Sequence, residues 1–340
     1  MAAEKKIRKS ERDRHNLRDL VPLDTPFGIN IEPTSVCNFK CRFCFHGDGN
    51  VKFEKGFMEF SLFQKIVDDL KEFPKKIKSV YLYHRGESLL HPQIAEMVKY
   101  VKQADVAQEV IIFTNASLLT PELSEKLIEA GLDTLNVSIE GISDEDYENV
   151  AGVKADFGQI VENVSYFYHH KKQCELYVKI PYMFYSPESL KKFESIFSEI
   201  CDYFFEEHLD DAWQGLAKNN LTEEEYDVIE KRYKSLEKYR RQVCPCIFTR
   251  FNILYDGTVT CCLEDYKKDM PVGDVNNESV KEIWSGSKMN KIRYAHLTGN
   301  LQDYPMCQRN CTSYKDIHHP GNDMDNIDGL PQEIIDKFRP

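Results

Sequence analysis

The sequence predicts an α/β fold, on three observations. Six short β-rich runs, Ile29 to Ile31, Ser79 to Tyr83, Val110 to Phe113, Leu135 to Ile139, Leu176 to Ile180 and Tyr203 to Phe205, alternate with amphipathic helical stretches between Gly28 and His208. Helix start and stop residues punctuate that alternation, and a hairpin pattern follows it only near Asp256-Gly257. The order belongs to parallel βα units and not to an all-β sandwich, and it fits either a partial barrel or an open doubly wound sheet.

The elements follow in chain order. Ser61 and Gln64 form a capping-box pattern ahead of an apolar stripe at Leu62, Ile66, Val67, Leu70 and Phe73. Thr120 and Pro121 open another helix, which Gly131 closes. From Leu221 to Val243 the composition turns charged, with Thr222 and Glu225 as a capping box, and reads as a solvent-exposed connecting helix. Phe251 to Tyr255 and Thr258 to Cys261 then flank Asp256-Gly257, a dipeptide suited to a tight hairpin turn. Helices are expected near Ser279 to Trp284 and Ser287 to Leu297, and Tyr314 to Pro340 reads as loosely structured. The expected division is an extension over 1–27, the βα region over 28–215, a connecting helix over 216–243, a small second domain over 244–312 and a tail over 313–340.

Composition excludes several function classes. With 44 Lys and Arg against 56 Asp and Glu the net charge is −12, which opposes a broad nucleic-acid or anionic-lipid footprint. No apolar run approaches the roughly 20 residues of a membrane-spanning helix, and the basic N-terminus lacks the apolar core of a secretory signal. The expectation is a soluble cytoplasmic protein. In a reducing compartment, 11 cysteines point to metal binding or catalysis before disulfides.

Cys37, Cys41 and Cys44 follow the first strand in a loop, and the ends of parallel strands are where such folds build sites. Three thiolates hold three irons of a [4Fe–4S] cluster and leave the fourth open. The alternatives are a zinc site, whose ligands come in fours, or packed core cysteines, which Asn38, Lys40 and Arg42 oppose. Cys174 and Cys201 stand alone and read as core residues. Cys244, Cys246, Cys261, Cys262, Cys307 and Cys311 crowd the C-terminal hundred residues.

Cys37-x3-Cys41-x-Phe43-Cys44 resembles the motif of the radical S-adenosylmethionine (SAM) superfamily. The resemblance implies a partial (β/α)6 TIM-like barrel, SAM chelated to the open iron, and reductive cleavage to a 5′-deoxyadenosyl radical. His84 to Pro92 is similar to the family's Gly-Gly-Glu-Pro loop, with Gly86 and Glu87 retained and Arg85 and Ser88 substituted. Thr114-Asn115-Ala116 and Val137 to Gly141 look like its next two segments. They imply cofactor contacts at Asn115 and, for the ribose, at Ser138. Phe43 belongs to the same set, and Lys179 is read either as the SAM carboxylate partner or as a solvent-facing strand lysine.

The C-terminal cysteines resemble the SPASM/twitch extension of that superfamily, which implies a small α+β twitch domain with a β-hairpin. The resemblance assigns Cys244, Cys262, Cys307 and Cys311 to a second, auxiliary [4Fe–4S] cluster, although the final pair is spaced by three residues where two are expected. Cys246 and Cys261 are left to replace a neighbour, pack, or act as thiol hydrogen donors, and a zinc ribbon is the alternative for the whole set.

A fully ligated second cluster favours electron transfer, so the expected reaction is two-electron oxidation of a sugar or aminocyclitol-like alcohol. The alternatives are a peptide maturase, a radical epimerase, or a non-catalytic cluster- or zinc-binding module. The stretch before Gly28 is too short for a leader-peptide domain of ordinary size, which weighs against a peptide. Tyr182, His208, Asp210, Asp211 and Trp213 are candidate substrate contacts. The chemistry calls for a one-electron donor such as a flavodoxin or ferredoxin.

Overall fold

A computed structural model of the chain describes residues 15–210, 216–308, 311, 314 and 323–340. Strands and helices alternate from the start: β1 (Gly28–Ile31), α1 (Phe60–Asp69), β2 (Ile77–Leu82), α2 (Ile94–Ala104), β3 (Ala107–Thr114), α3 (Pro121–Ala130) and β4 (Thr134–Ser138). A single turn α4 (Asp144–Asp146), then α5 (Phe157–His170), β5 (Glu175–Pro181), α6 (Pro187–Phe197) and β6 (Tyr203–Glu207), complete this region. After it come α7 (Leu216–Asn220), α8 (Glu223–Leu236), α9 (Cys246–Thr249), β7 (Arg250–Ile253), β8 (Thr258–Thr260) and β9 (Pro271–Asp274). The helices α10 (Val280–Ser285), α11 (Ser287–Thr298) and α12 (Gln332–Ile335) end the order. Among the described residues no helix is long and apolar enough to cross a membrane.

The six expected strands are β1 to β6, with ends shifted by a few residues. They form one nine-stranded sheet in the order β6-β5-β4-β3-β2-β1-β7-β8-β9. Pairing is parallel from β6 through β7 and antiparallel from β7 to β9. The hairpin therefore extends the parallel sheet, because β7 lies beside β1 with Gly28 opposite Arg250. The barrel stays open, with β6 and β9 at its edges.

Side chains alternate across each strand. Ile29, Ile31, Val80, Leu82, Val110, Ile112, Leu135 and Val137 are fully buried and share one core with Phe63, Val67, Val98, Leu127 and Val164 of the surrounding helices. The opposite, inner face carries polar and aromatic residues in register. Asn252, Asn30, Tyr81 and Ile111 form one row, Phe113, Asn136, Tyr177 and Tyr203 a second, and Ser138, Lys179 and Phe205 a third.

Helix signals were mostly legible. Thr120 caps α3 by accepting from the Leu123 N–H at 3.3 Å, and Gly131 ends it at φ 87°. Thr222 and Glu225 form the capping box of α8. The Ser61/Gln64 box does not form, because the helix is capped two residues earlier at Glu59 and begins at Phe60, which places Ser61 inside its first turn.

Two expectations are corrected. The charged helix α8 is not simply solvent-exposed: Ile229 and Tyr233 are buried with Leu221 against Phe43, Met183, Phe184 and Leu209. The tail is docked where it is described. Asp323 pairs with Arg241, Asp328 accepts from the Gln242 and Val243 N–H groups at 2.9 Å each, and Ile327, Leu330 and Phe338 are buried. Apolar anchors this sparse produce no period that a sequence reading detects.

Candidate functional site

Two cysteine-bearing regions meet the sheet. The loop after β1 is held at both ends by backbone contacts. The Glu87 N–H donates to the Val36 oxygen at 2.9 Å, Lys40 N–H to the Ala151 oxygen at 2.8 Å, and Arg42 N–H to the Val150 oxygen at 3.0 Å. Gly86 must be glycine here, since a Cβ would lie 2.3 Å from the Thr34 oxygen and 2.5 Å from that of Val36. Within the loop the Cys44 N–H closes onto the Cys41 oxygen at 2.9 Å.

This folding brings Cys37, Cys41 and Cys44 together. Burial pushes the Cys37 thiol up to about 11, helped by Glu87 and Glu140, and Cys44 up to about 12, helped by Cys37 and Glu140. Cys41 is also pushed well up, by burial, Glu140 and the two neighbouring thiols. Three neighbouring thiols that resist ionisation need a cationic occupant to become thiolates together, and an iron cluster supplies one. The donor set fits a [4Fe–4S] group.

The motif residues are placed around that loop. Glu87 is buried and accepts from the Leu89 N–H at 3.0 Å, the Thr114 hydroxyl at 2.7 Å and the Asn115 N–H at 2.8 Å, so it ties the end of β2 to the end of β3. Asn115 donates in turn to the Asn38 side chain at 2.9 Å, inside the cysteine loop. Ser138 ends β4 on the inner face beside Lys179. The Lys179 ammonium bridges both Glu207 oxygens at 2.8 and 2.7 Å and is largely buried, so it is not a solvent-facing lysine. Phe43 stacks on Phe184 at 5.8 Å beneath α8.

Arg85, the substituted motif position, has a different partner. Its Nε and Nη2 donate to the two Glu32 oxygens at 2.7 Å each, its Nη1 to the Tyr266 oxygen at 3.2 Å, and Glu32 also accepts from the Tyr255 N–H at 3.1 Å. Both side chains are buried. Burial alone would raise the Glu32 carboxyl, but Arg85 outweighs it and holds the group below its ordinary value. The pair thus bolts the ends of β1 and β2 to the hairpin region, and Phe45 stacked on Tyr266 at 5.1 Å makes a second link.

At the other site all six C-terminal cysteines line one cavity, with Met270, His296 and Tyr314 among their neighbours. The structure brings Cys246 and Cys261 into the same cavity as Cys244, Cys262, Cys307 and Cys311. Burial raises the Cys261, Cys262 and Cys307 thiols as well, Cys307 to about 12, and a hydrogen bond with Cys246 together with burial raises Cys244. Among the described residues no three His, Cys, Asp or Glu side chains are placed to hold a single metal ion, here or at the first cysteine loop. Cys174 and Cys201 are buried in the core as expected.

Near the C-terminal ends of β5 and β6, Tyr182 and His208 meet edge to face at 4.6 Å. Asp210 is pushed up to about 6 by burial, against the pull of Arg232, whose Nη1 lies 3.6 Å from its Oδ1. Asp211 and Trp213 lie outside the described residues. Sequence reasoning passed over Glu140. It is buried beside the first three thiols, burial pushes it up to about 7, and its Oε2 has no partner among the described residues. Its place two residues after Ser138 in the quoted segment was the available signal.

Comparison with known proteins adds family evidence. A family model described as the radical SAM superfamily matches residues 31–200, and one described as an iron-sulfur cluster-binding domain matches 244–312. The tungsten-containing aldehyde ferredoxin oxidoreductase cofactor-modifying protein of Pyrococcus furiosus is 38% identical over 114 residues, 33% of this chain and 30% of that protein. The AdoMet-dependent heme synthase of Methanosarcina barkeri is 30% identical over 141 residues, 42% of this chain and 39% of that one. These matches span well under half of either relative. Among solved structures, BtrN in complex with AdoMet and 2-DOIA covers 85% of this chain and 92% of its own at TM-score 0.51 and 17% identity. Native anSMEcpe with bound AdoMet covers 92% of this chain and 96% of its own at TM-score 0.59 and 16% identity.

Proposed function

The chain belongs to the radical SAM superfamily, and on that premise we propose that it oxidises a sugar or aminocyclitol-like alcohol by two electrons. When bound, two iron–sulfur clusters and SAM supply a 5′-deoxyadenosyl radical that takes a C–H hydrogen and an acceptor for the electron left behind.

The chain's own residues divide the remaining work. Cys37, Cys41 and Cys44 hold the first cluster with one iron open, while Gly86 and Glu87 shape the wall that receives SAM. Four of the six C-terminal cysteines hold the second cluster. The hydroxyl proton of the substrate passes to a carboxylate at the strand ends, and Asp210, pushed up to about 6, suits that task near neutral pH. Glu140 stands closer to the thiols, buried and with its Oε2 unpartnered among the described residues.

The observation that supports oxidation is the single cavity lined by six cysteines, more than enough to ligate every iron of a second cluster. The test is turnover of deuterated alcohols by the anaerobically reconstituted protein with dithionite and then with a flavodoxin or ferredoxin as the electron source. Deuterium in 5′-deoxyadenosine with one ketone formed per SAM consumed supports the reading. Solvent deuterium in the recovered alcohol without oxidation would establish epimerisation instead. A second reading draws on anSMEcpe, a structural neighbour solved with a peptide. Turnover of peptides and not of alcohols would favour it.

A further inference from the structure

The buried stripe of α11 is Met289, Ile292, Arg293, Ala295 and His296, so two polar side chains occupy a face that should be apolar. Arg293 and His296 stand one turn apart on it, at a spacing that makes them neighbours. Arg293 is 4% exposed and His296 2%. The three buried arginines among the described residues differ in their partners. Arg85 is paired with Glu32 and Arg241 with Asp323, whereas Arg293 has no carboxylate. Its Nε donates to the Ile247 oxygen at 3.1 Å, and its Nη1 to the Trp284 oxygen at 2.9 Å and the Asn290 Oδ1 at 3.1 Å. The Trp284 ring, 4.0 Å away, offsets part of the charge. Nη2 is buried with no partner among the described residues. His296 lines the six-cysteine cavity, as does Ile247. The Cys244 N–H donates to the His296 Nδ1 at 3.5 Å. Since that N–H can only donate, Nδ1 carries a lone pair and the ring's proton sits on Nε2, an atom also buried with no partner among the described residues.

A buried cation with neutral partners alone is costly, and its charge calls for an anion. A cluster held by four thiolates is one, because they outweigh the charge of its iron–sulfur core, and its sulfurs accept hydrogen bonds. We propose that Arg293 and His296 are the counter-charge and the hydrogen-bond donor of the second cluster, and that together they raise its reduction potential. Net charge and hydrogen bonds to the sulfurs are among the quantities that set such a potential. A cation beside the cluster favours the form that carries the added electron, and an N–H directed at sulfur favours it likewise. Cys261, which lines the cavity, lies in the field of the guanidinium, so charge on α11 reaches the thiols. The inference deepens the oxidation reading and rests on it for the use of a raised potential, since a cluster that takes up an electron during the oxidation must be easy to reduce. Both side chains act through the cluster and are positioning residues.

The test is a potentiometric titration of the anaerobically reconstituted protein followed by electron paramagnetic resonance, with iron counted per chain. In Arg293→Met the ratio of reduced to oxidised second cluster, read at the wild type's midpoint, should fall at least tenfold, about 59 mV for one electron. Arg293→Lys keeps the charge and should stay closer to wild type. His296→Leu should lower the ratio as well, and His296→Gln, which keeps an N–H donor, should restore part of it. The first cluster's midpoint should not move in any of them. A second-cluster midpoint unmoved in Arg293→Met would overturn the proposal. If Arg293→Met fails to retain its iron, an unmoved midpoint in His296→Leu does so instead. A wild type that shows no second-cluster signal would also overturn it. So would a nitrogen bonded directly to iron in pulsed spectra of protein labelled with 15N-histidine and lost in His296→Leu, since His296 would then be a ligand and not a donor. Alcohol oxidation by the wild type is measured alongside. Shifted midpoints without oxidation remove the oxidation reading and leave this inference, whereas oxidation with unmoved midpoints removes this inference alone.

Discussion

Removing one member of the Glu32–Arg85 pair should be among the most damaging single substitutions in the chain. Glu32→Gln keeps the shape of the side chain but strips the charge that faces the guanidinium through two 2.7 Å bonds. Arg85 is 3% exposed and Glu32 0%, so water cannot replace the lost partner. Breaking a buried pair by removing one side costs about 3–5 kcal/mol, because the surviving charge is left uncompensated. Replacing both members by apolar side chains of similar volume should return the protein to within about 2 kcal/mol of wild type, since neither desolvation penalty remains. The assay is urea unfolding of reconstituted protein for Glu32→Gln and for Glu32→Leu/Arg85→Met, followed by circular dichroism and iron content. Because Glu32 and Arg85 also grip Tyr255 and Tyr266, the single variant should lose iron from the second site first. A cost below about 1 kcal/mol for Glu32→Gln, or a double variant no more stable than the single, would refute this account of the substituted motif arginine.

Three other outcomes are expected. The Cys37/Cys41/Cys44→Ala variant should carry about four irons where the wild type carries about eight, with SAM cleavage lost, as read by iron analysis and 5′-deoxyadenosine yield. Gly86→Ala should drive a methyl into the Thr34 and Val36 carbonyls and displace the first cysteine loop; electron paramagnetic resonance should then show the second cluster alone. His84 is pushed down to about 4 by burial. An unfolded chain protonates this ring near 6.5 and the folded chain does not, so stability should fall on the order of 2 kcal/mol as pH drops through that window, after allowance for partial exposure. His84→Asn should flatten the dependence of the urea midpoint between pH 7 and pH 5.

Much of the fold was legible because parallel strands buried on their outer face announce themselves as short β-branched runs, and Thr120, Gly131 and Thr222 mark helix ends by local chemistry. The cysteine loops were legible for a similar reason: thiols at short spacing are rare and serve few purposes. The roles of Arg85 and Lys179 were not, since each is set by a partner from another strand: Arg85 lies 53 residues from Glu32, and Lys179 lies 28 residues from Glu207. The Ser61 cap failed because a two-residue shift of a helix start lies below what local signals resolve.

The pairing of β1 with β7 also dictates a timetable for the nascent chain. Strand β1 leaves the ribosome well before its second neighbour, which ends at Ile253. At roughly 5–20 residues per second, more than ten seconds of translation separate the two. During that interval one side of a four-residue apolar strand has no partner, and an unpaired edge of this kind invites pairing with another chain. Polar inner-face residues such as Asn30 lessen that hazard while they wait. Yield in cells should therefore respond to translation rate and chaperone supply more strongly than the finished molecule's stability would suggest.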